Sequence, residues 1–162
     1  MTDTTGGNIH DNGTIEITSN SINDYNHRKH ITDYNQNNSS RYVSENKANS
    51  EMVLDFKNYR IQISSYSLKS HNVYPSKHLK NWIVEVSKEG ENWEKVDEHN
   101  NDSTLNGSYK IGTFKTKEMT TFYRFVRIIQ TGTNWSNDYG TYICSFEIYG
   151  KLLIQQINKS IT

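Results

Sequence analysis

A chain of 162 residues is long enough for one domain with a proper buried core. Lys plus Arg and Asp plus Glu balance at 18 each, so the formal charge is zero, which argues against a general nucleic-acid binder. Cys144 is the single cysteine, which excludes an intramolecular disulfide and a cysteine zinc cluster, and no apolar run reaches membrane-spanning length.

Residues 1–7 read as a loose tail without the basic and apolar regions of a secretory signal. With the lone cysteine expected to be a small buried hydrophobe, this predicts a reducing, cytoplasmic setting. Thr14–Thr18 alternates as a short strand. Residues 19–50 are polar and rich in Asn and Ser, with only short apolar candidates at Ile31 and Tyr42-Val43, so they are expected to be functional loop or a mobile segment. Glu51–Phe56 predicts a strand. Ile61–Leu68 predicts another, with a change of phase at Ser64-Ser65 that marks a bulge.

Residues 69–80 form a loop holding the only proline, Pro75. In Lys80–Val96, Trp82, Val84 and Val86 share one face, Glu85 and Ser87 the other, and Gly90 supplies the turn. Trp93 and Val96 are expected to return to the core. Residues 100–107 form a long turn, and Tyr109–Phe114 a strand. Thr121–Gln130 carries bulky residues on both faces, as expected of a central strand covered on both sides. Residues 131–140 are loop, Thr141–Tyr149 is the last strand, and 151–162 is a tail or short helix. Many short strands with turn signals and little helical periodicity predict an all-β sandwich or barrel.

Three segments then carry a resemblance. Asn81-Trp-Ile-Val-Glu-Val-Ser with Gly90 and Trp93 resembles the central hairpin of discoidin domains, the coagulation factor V/VIII C-type family. Phe122-Tyr-Arg-Phe-Val-Arg-Ile128 is similar to their "RYIRI" strand, and Phe146-Glu-Ile-Tyr-Gly150 to their closing strand. Gly7–Gly13, Asp55-Phe56 and Asn101–Gly107 resemble a protist branch in which such domains follow other modules. The resemblance covers roughly residues 8–150. It implies a galactose-binding-like jelly-roll β-sandwich, no enzyme activity and no cofactor. Its ligands are sugars, anionic head groups or proteins, held on loops at one end that correspond here to residues 20–50, 69–80 and 131–141. The flanking cysteines of extracellular members are absent.

Within those loops, Asn134, Trp135 and Tyr139 place rings beside amides, a pairing that suits a sugar: the ring face stacks on C–H groups and the amide bonds hydroxyls. Trp135 equally fits a packing role at the barrel end. Lys69, Lys77, His71, His78 and Arg41 predict a basic loop end, to which His27, Arg28, Lys29 and His30 add charge, and hence an anionic partner. Since Glu85–Asp102 is acid-rich, the molecule is expected to be polar from end to end. His71 with His78 could bind metal only if folding brought them together, and a family-type calcium would fall nearest Asp33 and Glu147, so the metal stays open.

Two functions compete. The first is a protein-interaction module of a larger intracellular protein. The second is a lectin-like domain for a neutral glycan, using Trp135 and Tyr139. A membrane binder is a weaker third, because the loops lack apolar tips.

Overall fold

Strands form where β-branched and aromatic residues alternate with polar ones, and they break at Gly, Asn and Asp. In the computed structural model, described for residues 9–21, 25–32, 41–72, 74 and 76–154 (the side chains of 25–27 excepted), nine strands result. They are β1 (Glu16–Ser19), β2 (Tyr42–Val43), β3 (Glu51–Asp55), β4 (Tyr59–Ser70), β5 (Trp82–Ser87), β6 (Glu94–His99), β7 (Ile111–Lys115), β8 (Phe125–Gln130) and β9 (Tyr142–Ile154). A 3-10 helix spans Tyr25–Thr32. Two antiparallel sheets face each other, one ordered β1-β3-β8-β5-β6 and the other β2-β9-β4-β7. The fold is an all-β jelly-roll β-sandwich.

The core is the set of inward positions. Trp82, Val84, Val86, Val126 and Ile128 come from the first sheet, and Tyr66, Leu68, Phe114, Phe146 and Ile148 from the second; all are buried. Trp82 crosses the gap: its indole N–H donates to the Tyr66 hydroxyl at 2.9 Å, and its ring meets Phe114 edge-on at 5.3 Å.

Several expectations are revised. β8 is the middle strand of its sheet, yet Phe125, Arg127 and Ile129 on its outer side are only half-buried. Trp93 is not in the core. Its ring lies half-buried under the Arg127 guanidinium, whose carbon sits 4.0 Å from the ring centroid, and Glu85 and Glu51 clamp that arginine at 2.6 and 3.0 Å. A flat cation covers the ring as well as a second layer of side chains would. The bulge falls in β4 between Ile63 and Ser65. The last strand does not stop at Gly150 but runs on through Ile154, paired to Tyr59–Gln62. The tail 1–7, Asp33 and residues 155–162 lie outside the described residues, as does Pro75.

At Gly150 the pinched sheet has no room for a side chain. A β-carbon built there meets the carbonyl oxygen of Gln62 at 2.1 Å. Gly150→Ala must push β4 and β9 apart and is expected to cost about 2 kcal/mol, as for overpacked sites. A thermal melt within a degree of the parent would refute this.

Candidate functional site

Strand parity decides which loops meet. β1, β6 and β8 end, and β3 and β5 begin, at one edge of the first sheet; β4 ends and β7 and β9 begin at the same end of the second. Segments 44–50, 71–81, 100–110 and 131–141 therefore converge. Backbone bonds stitch them: Trp135 N–H to the His78 carbonyl at 3.2 Å, Asp102 N–H to the Lys80 carbonyl at 3.0 Å, and Ser44 N–H to the Thr141 carbonyl at 3.0 Å. The Asn81 amide donates to the Thr133 carbonyl at 2.8 Å, and Asn46 accepts from Tyr139 N–H at 2.7 Å.

The 131–141 loop is built around Asn134, which is fully buried. Its amide nitrogen donates to Asp138 and to the Gly140 carbonyl at 2.6 and 3.0 Å, and its oxygen accepts from Ser136 N–H at 2.8 Å and Asp138 N–H at 3.3 Å. Its hydrogen-bonding capacity is spent within the loop, so Asn134 scaffolds the loop and offers nothing to a ligand. Trp135 is half-buried, with the Lys80 ammonium 4.7 Å from its centroid. Tyr139 is 38% exposed.

The expected basic end is revised. His71 and His78 are completely buried, with rings 5.0 Å apart. His71 Nε2 donates to the Lys77 carbonyl at 3.1 Å, and its Nδ1 accepts from Tyr74 N–H at 3.4 Å. Burial above all pushes the His71 imidazole down to about 4. His78 Nδ1 accepts from Gly107 N–H at 3.0 Å. The pair meets, but three of its four ring nitrogens are engaged by the protein's own backbone. Among the described residues no group of three or more His, Cys, Asp or Glu could hold a metal. Glu147 stands on the outer side of β9, bonded by the Tyr149 hydroxyl at 2.7 Å.

Lys77 does reach the loop end, but already partnered. Its ammonium lies 2.9 Å from Asp138 and over the rings of Tyr74 and Tyr142, at 5.4 and 5.3 Å. Its hydrogen bond to Asp138 holds the ammonium above its ordinary value. Burial pushes the Asp138 carboxyl up, but the bonds from Lys77, Gly140 N–H and Asn134 outweigh this and leave it below the usual range. Arg41 is half-buried close enough to His71 to oppose its protonation. Lys69 lies over Tyr109 at 5.1 Å, on the outer side of β4. The 3-10 helix flanks the sandwich instead, anchored by buried Ile31; Arg28 donates to the Ile17 carbonyl and Lys29 meets Asp11. The side chain of His27 is outside the described set.

What the arrangement offers is a strip: Tyr74, 43% exposed, then the Lys77–Asp138 pair, then Tyr139 with Asn46 beneath its backbone. Sequence reading passed over Tyr74, Asp138 and Tyr142. A tyrosine next to proline in a polar loop was the one signal for Tyr74.

No protein-family model matches the chain. A 92-residue stretch, 56% of the chain, is 37% identical to part of the E3 ubiquitin-protein ligase hecd-1 of Caenorhabditis elegans. A 104-residue stretch, 60% of the chain, is 30% identical to part of the E3 ubiquitin-protein ligase Ufd4 of Drosophila melanogaster. Each match spans 4% of the ligase. Among solved structures, a family 32 carbohydrate-binding module of Clostridium perfringens in complex with GalNAc-β-1,3-galactose superposes with a TM-score of 0.67 at 14% identity, covering 85% of this chain and 96% of that one. The family 32 module of NanJ from the same organism, in complex with galactose, gives 0.61 at 10% identity, covering 84% and 93%. A fucose-binding module of Streptococcus pneumoniae gives 0.63 at 17%, covering 83% and 90%. At these identities the likeness establishes the galactose-binding-like fold and nothing finer.

Proposed function

We propose that this domain is a non-catalytic binding module that holds a neutral saccharide on the loop end of the sandwich. One observation carries the reading: two exposed tyrosines, Tyr74 whose ring lies 5.4 Å from the Lys77 ammonium and Tyr139 which follows Asp138 in the chain, adjoin a donor and an acceptor, Lys77 and Asp138, that neutralise one another. Rings stack on the C–H face of a pyranose, and an adjacent ammonium–carboxylate pair serves vicinal hydroxyls, each of which donates and accepts. Burial of both histidines and the pairing of Lys77 with Asp138 remove three of the expected positive groups from this end and leave Lys80, which lies over the Trp135 ring. The galactose and GalNAc-galactose held by the two Clostridium modules support the same class.

A second reading, a protein-interaction module within a larger cytoplasmic protein, rests on the likeness to short segments of two large ubiquitin ligases and on buried, unpaired Cys144. The finer discoidin, protist-branch assignment belongs with it.

Isothermal titration with galactose- and GalNAc-terminated oligosaccharides tests the first reading. Tyr139→Ala is expected to weaken binding at least tenfold, Tyr74→Ala and Trp135→Ala severalfold, with little change between 50 and 300 mM salt. No binding across a neutral glycan array, or binding that Tyr139→Ala and Tyr74→Ala both leave intact, refutes it.

A further inference from the structure

Beyond the loop end, charge divides between the two faces of the sandwich, not between its ends. The outward rows of the first sheet carry Glu16, Glu51, Asp55, Glu85 and Glu98 against Lys95 and Arg127. The outward rows of the second sheet are the reverse. Register places Lys69 opposite Ile111, Lys115 opposite Ser65, with Tyr149 opposite Ser65 from the other side, Lys151 opposite Gln62, and Arg60 opposite Leu153. Glu147 is the one acid in those strand rows. Lys115 and Lys151 are exposed and make no ion pair among the described residues.

Between these cations stand large apolar side chains open to solvent: Ile111 at 66%, Leu153 at 50% and Tyr149 at 41%. At the bulge the face deepens into a cleft of about 630 Å³, bordered by Gln62, Ser64, Thr116, Lys117, Glu118 and Lys151.

We propose that the outer face of the second sheet is a docking surface for an acidic, apolar-dotted protein segment in extended conformation. Charge complementarity selects acid. The apolar side chains select a protein segment over a polynucleotide, whose phosphates have no use for exposed Ile and Leu. A flat sheet lacks the protruding tips that enter a bilayer. From Arg60 to Lys69 the strand covers about 30 Å, the length of an extended segment of roughly nine residues. This site shares no residue with the saccharide site.

The test uses the whole 162-residue chain, nitrogen-15 labelled, titrated with a twelve-residue peptide alternating Glu with Leu and Tyr. Amide shifts are expected on β4, β7 and β9, and affinity should fall about tenfold between 50 and 300 mM salt as exposed charges are screened. Lys115→Glu with Lys151→Glu should weaken the peptide at least tenfold, Ile111→Ser with Leu153→Ser severalfold, and Tyr139→Ala should change nothing. A matching Lys-Leu peptide should leave the spectrum unmoved. The proposal fails if the peptide shifts no residue of these strands, or if the folded charge-reversal variant binds as tightly as the parent. It fails equally if a twelve-nucleotide poly-dT or phosphatidylserine vesicles bind the same strands as tightly, which would mark a generic polyanion surface.

Discussion

Trp82→Ala is expected to cost about 4 kcal/mol, within the usual range of 3–5 for truncating a buried aromatic. The ring has no solvent exposure and fills the space between the sheets. One of its faces stacks on His99 at 4.3 Å and 13°, and His99 is gripped at both ring nitrogens by Asp97 and Asp102, at 2.9 and 2.6 Å. Its N–H feeds the Tyr66 hydroxyl, which donates onward to Asp97 at 2.7 Å. That carboxylate, with burial the larger cause, drives the Tyr66 hydroxyl far above its ordinary value. Alanine therefore opens a cavity and also leaves a buried hydroxyl short of a donor. Trp82→Phe separates the two effects: it keeps most of the volume, loses only the hydrogen bond, and should cost about 1–2 kcal/mol. Urea denaturation of the three proteins, with unchanged m-values, checks this. A loss below 1 kcal/mol for Trp82→Ala would mean that the two sheets are held together elsewhere.

The strand that holds Trp82 was legible because period two is a property of the chain itself. Val84 and Val86 repeat its phase, and once one face is buried a slip by one residue would expose all three. The bulge at Ser64-Ser65 was legible for the same reason, as a break in phase. Trp93 was not. Its burial depends on Arg127, far away in sequence on a neighbouring strand, and no local pattern states that a guanidinium will cover a ring. Phe125 shares that fate, lying edge-on to Trp93 at 6.4 Å and under Arg124.

The loop end was half legible. Antiparallel strands send alternate connections to the same end, which is why 71–81 and 131–141 meet. The same parity puts 100–110 there, a consequence of the strand order that the turn-rich composition of Asn100–Gly107 did not announce. The charges misled for a different reason. A histidine in a polar loop reads as a surface group, but His71 and His78 sit where the loop crosses the open end of the core and must plug it. Lys77 reads as a free cation until folding brings Asp138 to 2.9 Å. Net charge in a sequence window is thus a poor guide to net charge on a surface. The true asymmetry lies across the sandwich, because alternation along β4 and β9 sends Arg60, Lys69 and Lys151 to one side.

Burying His71 gives the domain a specific acid sensitivity. The folded imidazole is held neutral, with Nε2–H on the Lys77 carbonyl and Nδ1 accepting from Tyr74 N–H, so a second ring proton would displace the Tyr74 contact. Desolvation is the main obstacle to protonation, followed among the opposing charges by His78, Arg41 and Lys77, and the folded value drops from 6.5 to about 4. In the unfolded chain the same ring takes its proton near its ordinary value. Between those two values the unfolded state binds the extra proton, so stability is complete above pH 6.5, declines as pH falls, and levels off below about 4. At 1.36 kcal/mol per pH unit the whole window is worth about 3 kcal/mol. Asp55, Asp102 and Asp138, whose folded values lie below the ordinary range, add their own loss only at lower pH, as they become protonated. Denaturant titrations at pH 7.5, 6.5, 5.5 and 4.5 should show this slope in the parent. His71→Gln, which keeps a donor for the Lys77 carbonyl and cannot titrate, should start less stable at pH 7.5 and lose much less over the same range. Equal slopes in the two proteins would assign the acid sensitivity to other groups. Because His71 supports Tyr74 and the Lys77 backbone and stays neutral in the folded protein until the pH nears 4, saccharide binding by the folded domain should hold through pH 5.5 and weaken only as the pH approaches 4, and the His71→Gln variant should lose that dependence.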